Sequence, residues 1–368
     1  MIGKRVSAVI FLVLMVAGMA AVSLRADLSS LGGAAQLLSG KTADLMEQSF
    51  ASAFPFRDQL LQLGWDIRFA AGRRQEEHCF IGEDCIIPNI PEPSESCLEQ
   101  NIAGVSRFAS VNSRIPVYFA LVPTAAAIQQ EDLPEFSLGS MVNQKELINS
   151  VYQELSGTVS SVDVYGSLFN NNEKYLYYRT QDNLTALGGY YVYSAVGARM
   201  GHRVRDPQDF DVQYVRHDFI GDLGRRFPYA RVKPDIISLF HYRKYDRRYH
   251  VSTTLDGGER VMDSLYDMEK LFSQDPMEVY LGERGTMTTI SVEEGPYNQK
   301  LLVFADDSCL SWLPLLANHY EEVLLVDLET ATKKEIRYLD TFYYDQVLFA
   351  FSTDTFMHKD YIASVSGN

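Results

Sequence analysis

Basic residues are the minority in this chain: 33 Lys and Arg against 48 Asp and Glu give a formal net charge of −15 and a pI near 4.9. So acidic a protein has no sequence-independent grip on nucleic acid or anionic lipid, both of which need clustered cations, and no nucleic acid is expected as a partner. Cysteine is scarce too. Of the four present, Cys79, Cys85 and Cys97 fall within nineteen residues and Cys309 stands alone far downstream. An exported chain with that spacing is expected to carry one local disulfide, leaving at least one thiol free or paired with Cys309. There is no CxxC pair, no His-x-His and no His-Glu-x-x-His, so zinc is not expected. Gly-rich phosphate loops, haem motifs and internal repeats are missing as well, and no cofactor is expected.

One long uncharged run is present. Lys4 and Arg5 precede nineteen uncharged residues from Val6 to Leu24, rich in Val, Ile, Leu, Met and Ala. At 1.5 Å per helical residue that run approaches the ~30 Å hydrocarbon thickness of a bilayer, with its basic residues on the inner flank. Residues 1–25 are therefore expected to anchor the chain in the cell membrane as a single pass, with the remainder outside the cytoplasm. A removable signal peptide is the alternative, because Gly18-Met19-Ala20 and Ala21-Val22-Ser23 offer small residues for cleavage. Residues 26–75 are expected to form a helical lead-in with Leu45, Phe50, Phe54, Leu60, Leu61 and Leu63 as its apolar contacts, and 76–368 the folded domain.

Within that domain, Phe80–Ser96 holds Gly82, Pro88, Pro91 and Pro93, which is loop chemistry with short strands at most. Short apolar runs follow at Val117–Val122, Val162–Val164, Leu301–Phe304, Val323–Val326 and Val347–Phe351, and they read as strands buried on both faces. Amphipathic helices are expected between them. Gln144–Leu155 puts Ile148, Val151, Tyr152 and Leu155 on one face, and Leu310–Tyr320 is a second. Alternation of this kind predicts an α/β layout, an open, mostly parallel sheet with helices on both faces. A basic stretch, Arg225, Arg226, Arg231, Lys233, Arg243, Lys244, Arg247 and Arg248, is interleaved with Phe227, Tyr229, Tyr242, Tyr245 and Tyr249. It reads chiefly as a solvated face, and otherwise as a groove for an acidic glycan.

In such sheets functional groups gather at the C-terminal ends of the strands. Two places satisfy that rule. Asp306-Asp307-Ser308 lies between the strand ending at Ala305 and the helix expected from Leu310, so Ser308 is either a helix cap or a nucleophile facing free amides. The second, Tyr178 to Tyr191, is a polar turn feeding a tyrosine-rich helix capped by Thr185.

That second run, Tyr-Arg-Thr-Gln-Asp-Asn-Leu-Thr-Ala-Leu-Gly-Gly-Tyr-Tyr, resembles the signature of the DHHW family of exported bacterial proteins, in which Tyr-Arg-Thr precedes Asp-His-His-Trp-Thr and Gly-Ala-Tyr-Tyr. Phe54–Asp58, Val122–Thr124, Leu133-Pro134, Gln144–Ile148, Val162–Tyr165, Lys233–Asp235, Asp307-Ser308 and Val326–Leu328 stand in family order around it. The family is similar to the SGNH hydrolase-like proteins of alginate O-acetylation, which are served by a membrane-bound O-acyltransferase. The resemblance implies an SGNH-like fold, a cell-envelope polysaccharide and such an acyltransferase as partners, and serine O-acetyltransferase or esterase chemistry.

It also implies roles residue by residue. Ser308 matches the nucleophile. With Thr180 and Thr185 fixing the register, Gln181 replaces the aspartate, Asp182 the first histidine, Asn183 the catalytic histidine and Leu184 the tryptophan. Asn183 cannot carry a proton near neutral pH, and Gln181 has no charge with which to orient an imidazolium. Glu329 stands where the family tends to place arginine. Candidate replacement bases are Asp182, if the turn is shifted by one residue, and less directly His202, His217, His241 or His250. His319, eleven residues along the expected helix, is about 16 Å from Ser308 by its rise. The expectation is a degenerate site in a non-catalytic accessory or glycan-binding protein, with an active Ser308 enzyme as the alternative.

Overall fold

The structure, a computed structural model, describes residues 56–367 except 138, 140, 229–231, 244–246 and 294–296. The expected anchor and most of the lead-in lie outside the described residues, and no described helix is long and apolar enough to cross a membrane. The chain divides into two compact units, Met1–Arg73 with Phe227–Ala230, and Arg74–Arg226 with Arg231–Asn368. In the first, helix α1 (Arg57–Ala70) sets Trp65 edge-on to Phe227 with ring centroids 5.4 Å apart.

The second unit opens with a three-stranded sheet, β1 (Gln75–Glu76), β2 (Cys79–Ile81) and β3 (Ile86–Pro88), and then helix α2 (Glu95–Val111). Strand β4 (Val117–Val122), helices α3 (Ala125–Ile128) and α4 (Gln144–Glu154), strand β5 (Ser160–Val162) and helices α5 (Val164–Phe169) and α6 (Ala186–Arg199) follow. An antiparallel ribbon, β6 (Phe210–Phe219) and β7 (Asp235–Tyr242), encloses the short α7 (Asp222–Arg226). The remainder is β8 (Arg248–Leu255), β9 (Gly258–Met262), β10 (Met287–Glu293), β11 (Lys300–Ala305), α8 (Leu313–Ala317), β12 (Glu322–Val326), α9 (Lys333–Arg337), β13 (Gln346–Ser352) and α10 (Thr353–His358).

Eight of these strands form one sheet in the order β5-β4-β13-β11-β12-β10-β8-β9. The first five are parallel, and the last three continue the sheet antiparallel. The fold is therefore a mixed α/β fold with a large, mostly parallel sheet. The apolar runs fall on the parallel strands because those are buried throughout: every residue of β11 after Lys300, and of β13 before Ser352, is buried. Phe304 and Phe349 stack across β11 and β13 with centroids 4.8 Å apart, and Phe108 of α2 meets both edge-on. Each such ring contributes about 1.5–3 kcal/mol by leaving water. The antiparallel edge carries no continuous apolar run, since β10 alternates buried and half-buried positions.

Three expectations change. The helix from Leu310 to Tyr320 is a 3₁₀ turn, Asp307–Cys309, followed by the five residues of α8. Pro314, in its first turn, has no N–H to bond back to Leu310, so a helix could not run through that point. The run Val162–Val164 is split, because Asp163 caps α5 through Gly166 N at 2.8 Å. None of the four cysteines is paired: Cys79 and Cys85 are buried in and beside the β2–β3 hairpin, Cys97 donates to His358 O at 3.7 Å, and Cys309 is buried after Ser308. Of the basic stretch, Arg225, Arg226, Arg243 and Arg248 are exposed and paired with Asp222, Glu77, Asp211 at 2.6 Å and Glu293 at 3.7 Å, which agrees with its leading reading as a solvated face, while Arg231 and Lys244 lie outside the described residues.

Candidate functional site

Parallel strands deliver β11 and β13 side by side, so Ala305 and Ser352 end at the same edge of the sheet. Asp306 ties the two ends together. Its Oδ1 accepts from Ser308 N at 3.1 Å and from Ser308 Oγ at 2.5 Å, and its Oδ2 accepts from Ser352 N at 2.9 Å. Ser308 thus sits in the turn at the strand end, with Trp312 Nε1 donating to its carbonyl at 2.8 Å.

The second place is a tight excursion between Tyr177 and Leu184, closed by Tyr178 N on Asn183 O at 3.1 Å and Thr185 N on Leu176 O at 2.9 Å. Thr185 then caps α6 through Gly188 N at 3.1 Å. Two glycines let this element pack closely. A Cβ on Gly188 would stand 2.1 Å from Leu176 O, and one on Gly189 would stand 2.8 Å from the Ser311 backbone, so α6 can lie directly against the segment after Ser308. The tip of the excursion is held from below by Asp235, fully buried at the start of β7. Asp235 accepts from Arg179 N at 2.8 Å, Thr180 N at 2.9 Å, Thr180 Oγ1 and Tyr175 OH, with the Arg179 guanidinium 3.9 Å away. Thr180 Oγ1 in turn accepts from Gly221 N at 2.8 Å.

These two loops bring the predicted residues together. Gln181 Nε2 donates to Asn183 Oδ1 at 3.0 Å, Gln181 Oε1 accepts from Asp222 N at 2.8 Å, and Asn183 helps to hold down the proton affinity of the Asp307 carboxylate. The Asp307 carboxyl is pushed up to about 6 by its recess and by Asp306, against the opposing effects of Arg284 and Asn183. Asp182 is pushed up to about 7 by the protein around it and then by Asp307, Asp354 and Asp306. Both residues are exposed, and together with Asp306 and Asp354 they form one acidic cluster. Neighbouring Cys309 is buried and its thiol is driven well above its ordinary value, which removes it as a nucleophile.

Sequence reasoning missed two contributors. Arg284, from the segment before β10, bonds Asp327 at 2.8 Å and lies 3.9 Å from Asp307. It supplies a cation to a pocket that Glu329 was expected to leave without one, while Glu329 N caps onto Asp327 Oδ1 at 2.9 Å. No motif marks Arg284. Asp354 lies in the first turn of α10, two residues past the end of β13, so the strand-end rule that selected Ser308 could have found it. A cavity of about 20 Å³, room for one water, lies between Arg284 and the Asp306-Asp307 turn. Arg284 also lines an open recess of about 500 Å³ against the β8–β9 hairpin.

No described histidine hydrogen-bonds to Ser308. His319 does not follow Ser308 on one helix, as its expected 16 Å rise assumed. It is buried near the opposite edge of the sheet, where Nε2 meets Tyr193 OH at 2.8 Å and the ring stacks on His202. His202 meets Tyr320 OH at 2.7 Å, His241 meets Gln213 at 3.1 Å, His250 faces Asp263 at 3.8 Å and His217 packs near Tyr214. Burial, His202, Arg205 and Arg247 push His319 down from 6.5 to about 3. It is neutral when folded and protonates on unfolding below pH 6.5, so its contribution to stability is lost as pH falls from 6.5 towards 3. Urea unfolding is expected to show on the order of 3 kcal/mol of acid destabilisation at pH 4 that His319→Gln removes; identical pH profiles for the two proteins would refute this.

A mixed α/β sheet with a serine at a strand end, faced by a polar turn before a Thr-capped helix, is the layout of an SGNH-like protein. The chain belongs to the DHHW family, whose profile, described as DHHW protein, matches residues 91–326. Among solved structures it is similar to a DHHW family protein from Eubacterium siraeum, at 18% identity over 76% of this chain and 91% of that one, with a TM-score of 0.62. PatB1 of Bacillus cereus is matched at 15% identity over 77% and 98%, with a TM-score of 0.65, and has also been solved with a sulfonyl adduct. The O-acetyltransferase domain of Pseudomonas putida AlgJ matches at 14% identity over 79% and 99%, but its TM-score of 0.48 is too low to bear on this chain. No protein of curated function matches.

Proposed function

We propose that this is an extracytoplasmic, membrane-tethered member of the DHHW family that has lost acyl transfer and serves cell-envelope polysaccharide O-acetylation by holding glycan, alongside a membrane-bound O-acyltransferase. One observation carries the loss of chemistry. The Ser308 hydroxyl donates to Asp306, whose two oxygens also cap Ser308 N and Ser352 N, while the position of the expected imidazole is occupied by Asn183, whose Oδ1 accepts from Gln181. Asp306 is thus a structural brace between two strand ends. A serine whose proton has only that destination is a weak nucleophile.

The second reading is an active serine O-acetyltransferase or acetylesterase working through Ser308. It draws on Asp182, whose carboxyl, at about 7, is poised to accept a proton at neutral pH. Turnover of p-nitrophenyl acetate by the full chain and by Ser308→Ala separates the two. Equal rates, within about twofold, are expected; a loss of about 10²-fold or more in Ser308→Ala, the scale of a working nucleophile and base, would establish the active reading instead.

A further inference from the structure

The Ser308 turn is not the only concave feature at this edge of the sheet. After β4 the chain runs through Pro123 and Thr124 into α3, and beside α3 and the start of α4 lies a cavity of about 220 Å³. It is tied to the Gln181–Asn183 excursion by Tyr177, whose hydroxyl donates to Pro123 O at 2.6 Å. Carboxamides dominate its polar lining: Asn89, Gln130, Asn143 and Gln144, together with Lys145 and Tyr165.

Their hydrogen bonds separate what builds the cavity from what remains available. Gln144 uses both ends of its amide, accepting from Thr124 N at 3.1 Å and donating to Thr124 Oγ1 at 2.8 Å, so it braces the wall. Asn143 spends only its oxygen, on Glu146 N at 3.3 Å, and Gln130 only its nitrogen, on Ala127 O at 3.3 Å. Asn89 spends neither end of its amide, and its enclosed Oδ1 has no partner. A free amide donor, a free amide acceptor and one uncommitted amide therefore face a single space. Lys145 lies 5.8 Å from the Tyr165 ring, and no carboxylate lines the cavity.

We propose that this cavity, beyond the C-terminal end of β4, binds one neutral sugar ring, a hexose or N-acetylhexosamine unit of the glycan. The inference rests on the glycan-holding role above and names where and how it is performed. Carboxamides donate and accept at once, as do sugar hydroxyls and acetamido groups, so the lining fits them, and its one cation, Lys145, stands over the Tyr165 ring. The volume is below the ~300–1,000 Å³ of pockets for drug-sized ligands, which limits it to a single ring. The net charge of −15 repels a polyuronate at long range, which favours a neutral polymer.

The test is calorimetric titration of the detergent-solubilised full chain with N-acetylglucosamine, glucose and glucuronate. Wild type is expected to bind at least one neutral sugar with a Kd of about 1 mM, and Asn89→Leu and the exposed Gln130→Ala to weaken it by about tenfold or more, with unchanged thermal midpoints. No saturable binding, binding that both variants keep, or a preference for glucuronate overturns the proposal. The two inferences fail separately. Sugar binding that depends on Asn89 together with Ser308-dependent turnover retains the cavity and removes the non-catalytic reading, whereas binding unaffected by the variants in an inert protein does the opposite.

Discussion

Asp235→Ala is expected to lower the free energy of unfolding by about 3–5 kcal/mol, the loss typical of removing one member of a buried polar network while its partners stay behind. Asp235 is fully buried and is the shared acceptor for Arg179 N, Thr180 N, Thr180 Oγ1 and Tyr175 OH. Truncation leaves these donors without their acceptor and a space where the carboxylate stood, and each orphaned donor costs about 1–3 kcal/mol if nothing relaxes. Asp235→Asn keeps the volume but turns an NH₂ towards backbone N–H groups, so it should recover only part of the loss. Urea unfolding at pH 7 measures both. A change below about 1 kcal/mol in the alanine variant would mean that the excursion is held by its own closure, Tyr178 N on Asn183 O, rather than by Asp235.

The double variant Gln181→Asp, Asn183→His is expected to raise p-nitrophenyl acetate turnover about 10²-fold over wild type, the lower end of what a positioned general base supplies. The two side chains already hydrogen-bond each other at 3.0 Å, the relation an aspartate needs to orient an imidazole. The low end is chosen because Asp306 competes for the Ser308 proton at 2.5 Å. Members of such a set act together, so Gln181→Asp alone should do nothing, and adding Ser308→Ala to the double variant should return it to the wild-type rate. The gained rate should rise with pH through the titration of the new imidazole, near the ordinary ~6.5. A double variant as inert as wild type would show that the scaffold no longer holds the triad geometry.

Both predictions concern a turn whose sequence was readable because its chemistry is local. Thr185 as a cap, the excursion before it and the strand end at Ala305 follow from residues within a few positions of one another. The same locality explains the parallel strands, whose continuous apolar runs announce burial on both faces. It explains the misread helix as well. The apolar spacing of Leu310–Tyr320 outweighed one proline in that reading, whereas in the folded chain the missing N–H of Pro314 decided the start of α8.

Sequence alone therefore determined the family, the acidic character, the central strands, and the identities of Ser308, Gln181, Asp182 and Asn183 at the positions where the chemistry is expected. Only the tertiary structure decided what those residues touch. Asp306 is placed to accept from the Ser308 hydroxyl while its other oxygen accepts from Ser352 N at the end of β13, Arg284 reaches Asp327 from a segment 43 residues earlier, and Asp354 enters from the helix after β13. The four thiols stay apart because the fold spreads them between a hairpin, a helix and a strand-end turn. The contacts of Ser352 with Asp306 and of Arg284 with Asp327 join residues more than forty positions apart, and sequence spacing carries no information about distances that exist only once the sheet has formed.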